Sequence, residues 1–203
     1  LNMNAMNVTM TLDGISYTFR LGDSLTVMVG DSTDVSALYS TACTYSAFTD
    51  LLSNCGSGTA AGLGGGTTTN GTANDTSDDG SSATFAASYD FGNGLTVAGG
   101  ISGAGGETEG LFTKETLDVY GVQAAYNTDS YGVSLSYALT ETSTTADTTF
   151  FGVNAYYSLD GGPSLSVGFE SEDPDTTAEE TGYFVGLTWD DLGPGSFSIG
   201  MST

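Results

Sequence analysis

Residues 5–29 read AMNVTMTLDGISYTFRLGDSLTVMV, and their alternation decides the fold class. Met6, Val8, Met10 and Leu12 fall on one parity, and Asn7, Thr9 and Thr11 on the other. Asp13-Gly14 follows, two residues that accept positive φ cheaply and so close a two-residue hairpin. Ile15, Tyr17, Phe19 and Leu21 then alternate with Ser16, Thr18 and Arg20. Gly22-Asp23 turns the chain again, and Leu25, Val27 and Val29 alternate with Thr26 and Met28. A period of two is the signature of a strand with two different faces.

The pattern stops after Asp31 and resumes near Thr84. Phe85, Ala87, Tyr89 and Phe91 alternate up to the turn Gly92-Asn93-Gly94, and Leu95, Val97, Gly99 and Ile101 follow. Further strands are expected over 117–126, 131–140, 148–158, 164–170, 181–189 and 196–203, eleven in all. In 131–140 Tyr131, Val133, Leu135, Tyr137 and Leu139 oppose Ser134 and Ser136. In 117–126 and 148–158 both parities carry apolar residues; Gln123 and Asn154 are assigned to the wet side. Pro163, Pro174 and Pro194 are expected in gaps, because proline cannot donate to a ladder.

From the third strand on, long connections (31–83, 103–116, 141–147, 171–180) alternate with short ones (92–94, 127–130, 159–163, 190–195). A meander with tight turns at one end and long loops at the other is the organisation of an outer-membrane barrel. Phe91, Tyr126, Tyr131, Trp189 and Phe197 cluster beside the short turns, where interfacial aromatic girdles sit. The expectation is an all-β fold: an antiparallel up-and-down transmembrane β-barrel. Eleven is odd, whereas single-chain bacterial barrels close with an even number. Residues 1–203 are therefore read as part of a barrel, an incomplete set of strands, with 31–83 as a long acidic Gly/Thr-rich loop.

Composition narrows function. The 203 residues hold 25 Asp+Glu, 2 Lys+Arg and no His, a formal charge of −23. Arg20 and Lys114 cannot neutralise a phosphate backbone, so nucleic acid is excluded as a partner. Without histidine, and with two cysteines, the usual zinc sites cannot be built. Histidine-based acid–base catalysis is absent too. No stretch reaches the roughly 18 apolar residues of a membrane helix, and Leu1–Met6 lacks the basic start of a signal peptide.

Asp75, Ser77, Asp79 and Gly80 fit the first half of a calcium loop, but Ala86 stands where the bidentate Glu belongs. Gly99–Gly106 does not spell G-x-G-x-x-G, and no G-x-S-x-G occurs. No enzyme and no cofactor are expected. Cys43 and Cys55 permit one pairing. A bridge there would contribute roughly 3 kcal/mol by closing a short loop and needs an oxidising compartment. The stretch 56–82 is low-complexity; it reads either as an external loop or as a segment folded into the lumen.

On the barrel reading, the lumen is lined by Asn7, Thr9, Thr11, Ser16, Thr18, Arg20, Ser134, Ser136, Asn154 and Ser166, with Thr26, Ser88, Thr96 and Thr188 on the same parity. Arg20 could set a transverse field across such a pore. Acidic loop residues Asp50, Asp75, Asp78 and Asp79 would enrich cations at the mouth.

SYTFRLGDSLTVMVGDS (16–32), ALYSTACTYSAFTDLLSNCGSG (37–58), GLFTKETLDVYGVQAAY (110–126) and GYFVGLTW (182–189) resemble the outer-membrane porins of marine unicellular cyanobacteria, which are related to the carbohydrate-selective porins. The resemblance implies a homotrimer in the outer membrane, in contact with its lipid, passing inorganic ions and small hydrophilic solutes by diffusion. Family members carry an S-layer-homology domain that tethers the barrel to peptidoglycan, and this sequence contains none. The competing reading is a surface-assembled structural β-protein, a filament subunit or adhesin, whose strand faces other chains would cover. A role as a phage receptor is compatible with the porin reading and leaves no trace in the sequence.

Overall fold

A computed structural model describes residues 15–31, 33–44, 83–103, 118–141 and 147–203. They form ten antiparallel strands in one sheet, in strict sequence order. The strands are β1 (Ile15–Leu21), β2 (Leu25–Asp31), β3 (Ala83–Asp90), β4 (Leu95–Gly103), β5 (Asp118–Asn127), β6 (Tyr131–Glu141), β7 (Asp147–Ser158), β8 (Ser164–Pro174), β9 (Glu180–Leu192) and β10 (Gly195–Ser202). Among the described residues the sheet is not closed on itself, since β1 and β10 each have a single neighbour. A short 3-10 helix, Val35–Leu38, follows β2.

The short turns all lie at one end of the sheet. Gly22, Gly92, Gly94, Gly161 and Gly193, which have positive φ, lie in four of them. The fifth turn uses a side chain instead: Thr128 Oγ1 accepts from the Ser130 and Tyr131 amides and donates to the Tyr131 carbonyl. Short and long connections alternate from β1 to β6, but 142–146, 159–163 and 175–179 are equally long, because β8 and β9 run into the expected loop 171–180. The expected strand over 5–12, and the turn Asp13-Gly14 that broke the rule, lie outside the described residues.

Two strands run further than their sequence pattern. β8 continues to Pro174, which ends the strand opposite Thr148 rather than lying in a gap. β9 continues to Leu192. Polar residues such as Ser171–Asp173 carry no alternation signal, yet the ladder with β7 and β9 holds them.

Register puts like residues in lateral rows. One row reads Arg20, Thr26, Ser88, Ala98, Gln123, Ser136, Gly152, Glu170, Gly182 from β1 to β9. It begins beside the short turn at Gly22 and ends at the opposite end of β9, beside 175–179. Each strand is thus displaced along its neighbour in a constant sense, the stagger that accompanies strand tilt in barrels.

The two faces invert the order of a soluble sheet. Val133, Leu135 and Tyr137 are 44%, 49% and 47% exposed, while Ser134 and Ser136 between them are 1% and 2% exposed. The same holds for Phe85, Val122, Phe151, Val167, Tyr183 and Val185 on the bare face, and for Thr84, Gln123, Asn154, Ser166 and Thr188 on the covered one. Gln123 and Asn154 therefore share the polar face, where both are buried. The apolar residues that blurred parity in β5 and β7, Val119 and Phe150, also lie on the polar face and are buried. Aromatic pairs sit on the bare face toward the short turns: Tyr17 with Phe19, Tyr126 with Tyr131, and Trp189 with Phe197.

Water would disfavour such a face, because burying one large apolar side chain is worth about 1.5–3 kcal/mol. Hydrocarbon would not. Leu135→Arg on the bare face is expected to destabilise the folded protein in lipid vesicles by about 2–4 kcal/mol, read from urea unfolding followed by tryptophan fluorescence. Ile199→Thr on edge strand β10 should cost far less.

Candidate functional site

The polar face is covered by the chain's own segment 33–44. An extended strand points alternate amides in opposite directions, and here every second one meets the wall. The Ser40 N–H donates to Gln123 Oε1 at 2.7 Å. The Ala42 N–H donates to Ser134 Oγ at 3.0 Å. The Thr44 N–H donates to Ser166 Oγ at 3.3 Å, and the two hydroxyls lie 3.0 Å apart. At the other end of the segment, Thr84 Oγ1 donates to the Thr33 carbonyl at 2.9 Å. The segment thus crosses from β3 to β8 on hydrogen bonds to side chains of the sheet.

Two amides reinforce the crossing. Gln123 Nε2 donates to Thr41 Oγ1 and to Ser136 Oγ, each at 3.0 Å. Asn127 Nδ2 donates to the Ser40 carbonyl at 3.2 Å and to its hydroxyl at 3.1 Å. These bonds spare buried backbone groups the cost of being unpaired, about 1–3 kcal/mol each.

An apolar seat lies alongside. The row Met28, Ala86, Gly100, Gly121, Ala138, Phe150 crosses β2 to β7. Its four central residues are small and leave a trough between Met28 and Phe150. Val35 sits fully buried over this trough: a Cβ on Gly100 would lie 3.1 Å from Val35 Cβ. A Cβ on Gly121 would lie 3.2 Å from Val35 Cγ2 and would run into the Tyr39 hydroxyl. Burial pushes the Tyr39 phenol well above its ordinary pKa, so this side chain is neutral.

Of the residues expected to line a lumen, Ser134, Ser136, Asn154 and Ser166 are brought together beneath the segment and are 2% exposed or less. Ser16, Thr18 and Arg20 share that face on β1 but remain exposed. Asn7, Thr9, Thr11, the acids Asp50, Asp75, Asp78 and Asp79, and Cys55 lie outside the described residues. Cys43 is half-buried between Ala42 and Thr44. Val35, Tyr39, Ser40, Asn127 and the two facing glycines were not legible as site residues. The one available signal was glycine at 100 and 121, on a parity that otherwise carries Thr96, Ala98 and Ser102 in β4 and Val119, Gln123, Ala125 and Asn127 in β5.

Charge is sorted along the strands. Glu170, Glu172 and Glu180 lie on the polar face toward the long connections, Glu172 directly opposite Glu180. Asp31, Asp118, Glu141 and Asp147 share one lateral row at that end on the other parity, with Ala83 and Gly103 between Asp31 and Asp118. Asp23, Asp129, Asp160, Asp190 and Asp191 stand at the short turns. Arg20 is the one basic residue among the described residues. Among the described residues no group of three His, Cys, Asp or Glu is placed to hold a metal ion, and no helix is long and apolar enough to cross a membrane, which says nothing of a β-barrel.

No family model and no curated protein matches the chain. Among solved structures, a porin refined at 1.8 Å resolution matches with a TM-score of 0.58 at 17% identity, over 92% of this chain and 54% of that one. The fold is that of a porin-like β-barrel. This chain spans about half the length of the solved porin. At this identity the likeness carries the fold and is silent on source organism and solute class.

If the porin-like wall holds segment 33–44 through its side chains, removing one acceptor should loosen the segment locally. Ser134→Ala takes away the partner of the Ala42 amide. Its hydrogen exchange is expected to accelerate roughly ten- to hundredfold, as a loss of about 1–3 kcal/mol requires, with exchange in β6 and β7 unchanged.

Proposed function

We propose that this chain forms wall and constriction of an outer-membrane diffusion channel. The bare apolar face meets lipid, and the polar face surrounds water. The observation that carries the reading is the polar face itself: it is spanned by a hydrogen-bonded segment of the same chain, while large aliphatic and aromatic side chains stand bare on the opposite side. A surface-assembled structural protein would need partner chains over both faces, and here the chain covers its own polar face.

The work is passive. Segment 33–44 stands between the wall and the solute, so Ser134, Ser136, Asn154 and Ser166 hold the constriction, and Ser16, Thr18 and Arg20 line the open part of the lumen. Asn7, Thr9 and Thr11 would extend that lining. Inorganic ions and small hydrophilic solutes pass without a cofactor and without bond chemistry. Acids at both ends of the strands enrich cations, an effect that salt screens over about 8 Å at 0.15 M. Asp50, Asp75, Asp78 and Asp79 would add to the acidic mouth. A Cys43–Cys55 disulfide tethers the far end of the segment; the lack of free cysteines among the described residues favours it. Assembly as a homotrimer, and a place in the outer membrane of a cyanobacterium, rest on the sequence resemblance.

The purified protein in planar bilayers should form ohmic channels. Under a tenfold KCl gradient the reversal potential should have the sign of cation selectivity, and the selectivity should weaken as total salt rises. Anion selectivity contradicts the acidic-mouth part of the reading, and absence of channels contradicts all of it.

A further inference from the structure

Glycine inside a strand is costly and marks places where something approaches the backbone closely. Gly100 and Gly121 are direct cross-strand partners on the polar face, and they differ in what keeps them small. A Cβ on Gly100 would press on the sheet itself, 2.9 Å from the Phe85 carbonyl oxygen and 3.0 Å from Ala86 Cβ. The three atoms nearest to a Cβ on Gly121 all belong to segment 33–44: the Tyr39 hydroxyl, Val35 Cγ2 and Tyr39 Cζ. The sheet has no need of glycine at 121; the segment does. The Tyr39 hydroxyl is buried there with no hydrogen-bond partner among the described residues, so shape rather than bonding holds the ring at that spot. Two residues along β5, on the same face, Gln123 grips the next two residues of the segment: it accepts from the Ser40 amide and donates to Thr41 Oγ1.

We infer that Gly121 and Gln123 are positioning residues that set how far segment 33–44 stands off the wall, and through that the free cross-section of the channel. The inference rests on the diffusion reading. Gly121 is the seat and Gln123 the latch, so a change at either takes the segment off the wall, the first by pushing it and the second by freeing it. A methyl group at 121 meets the Tyr39 oxygen and lifts the segment away from the wall into the lumen. An aliphatic side chain at 123 releases the Ser40 amide and Thr41 and lets the segment leave the wall.

The test is single-channel recording of the whole protein in planar bilayers, with the size limit read from neutral polyethylene glycols of graded mass. Gly121→Ala should lower conductance and size limit. Gly121→Ala combined with Tyr39→Phe should return both toward the wild-type values, because the colliding oxygen is gone. Gln123→Leu should lower mean conductance and size limit and add open-channel noise, because the freed segment fluctuates into the lumen. A general loss of folding would not be rescued by the Tyr39 change and would not confine the added noise to Gln123→Leu. If Gly121→Ala fails to insert, the Gln123→Leu arm decides alone. Wild-type conductance and size limit in both single variants overturn the inference, as does a double variant no closer to wild type than Gly121→Ala. Absence of channels from the wild type overturns the diffusion reading instead, and this inference with it.

Discussion

Hydrocarbon offers no partner to a backbone N–H or C=O, so a wall that faces it must satisfy those groups inside its own ladder. That constraint orders the rest of the molecule. Ten strands paired in sequence satisfy one another, and the pleat then sends alternate side chains to opposite solvents. On the membrane reading proposed above, Val133, Leu135 and Tyr137 stand bare because bareness carries no penalty in lipid, and Ser134 and Ser136 turn to the side where polar partners exist. The lateral stagger of the rows follows from the tilt that a curved wall imposes on its strands.

On the polar side the constraint reverses. A segment lying on hydroxyls and amides must also pair its own backbone, and 40–44 does so by aiming every second N–H at Gln123, Ser134 and Ser166. Side-chain acceptors replace strand neighbours, so the segment follows the wall without becoming a strand of it. The trough at Gly100 and Gly121 supplies the close approach that such a layer needs, and Val35 supplies the apolar contact. On the proposed diffusion reading, residues that would be solute contacts on an uncovered wall thereby become supports of the layer that contacts solute.

The strands were legible because two different solvents impose period two on the sequence. Legibility failed where that pressure lapses. The ends of β8 and β9 reach beyond the alternating stretch: Ser171–Asp173 are held by the ladder with β7, and Leu192 pairs with Gly195 beyond an irregularity in register. Val119 and Phe150 obscured the parity of β5 and β7, because apolar residues on the polar face serve the seat and its border. The crossing of 33–44 was invisible for another reason: its partners lie 51 to 122 residues away along the chain. Nothing local in Asp34–Thr44 distinguishes a segment laid on a wall from an ordinary loop.

The central claim is that one face of this sheet meets lipid while the other is shielded by the chain itself. Single nitroxide labels at each position from 132 to 139, in protein reconstituted into vesicles, test it directly through collision with lipid-soluble oxygen and with a water-soluble nickel chelate. Labels at 133, 135, 137 and 139 should collide with oxygen, and those at 134, 136 and 138 should be shielded from both reagents. Strong collision of the odd-numbered positions with the nickel chelate, or loss of the two-residue period, would contradict the account.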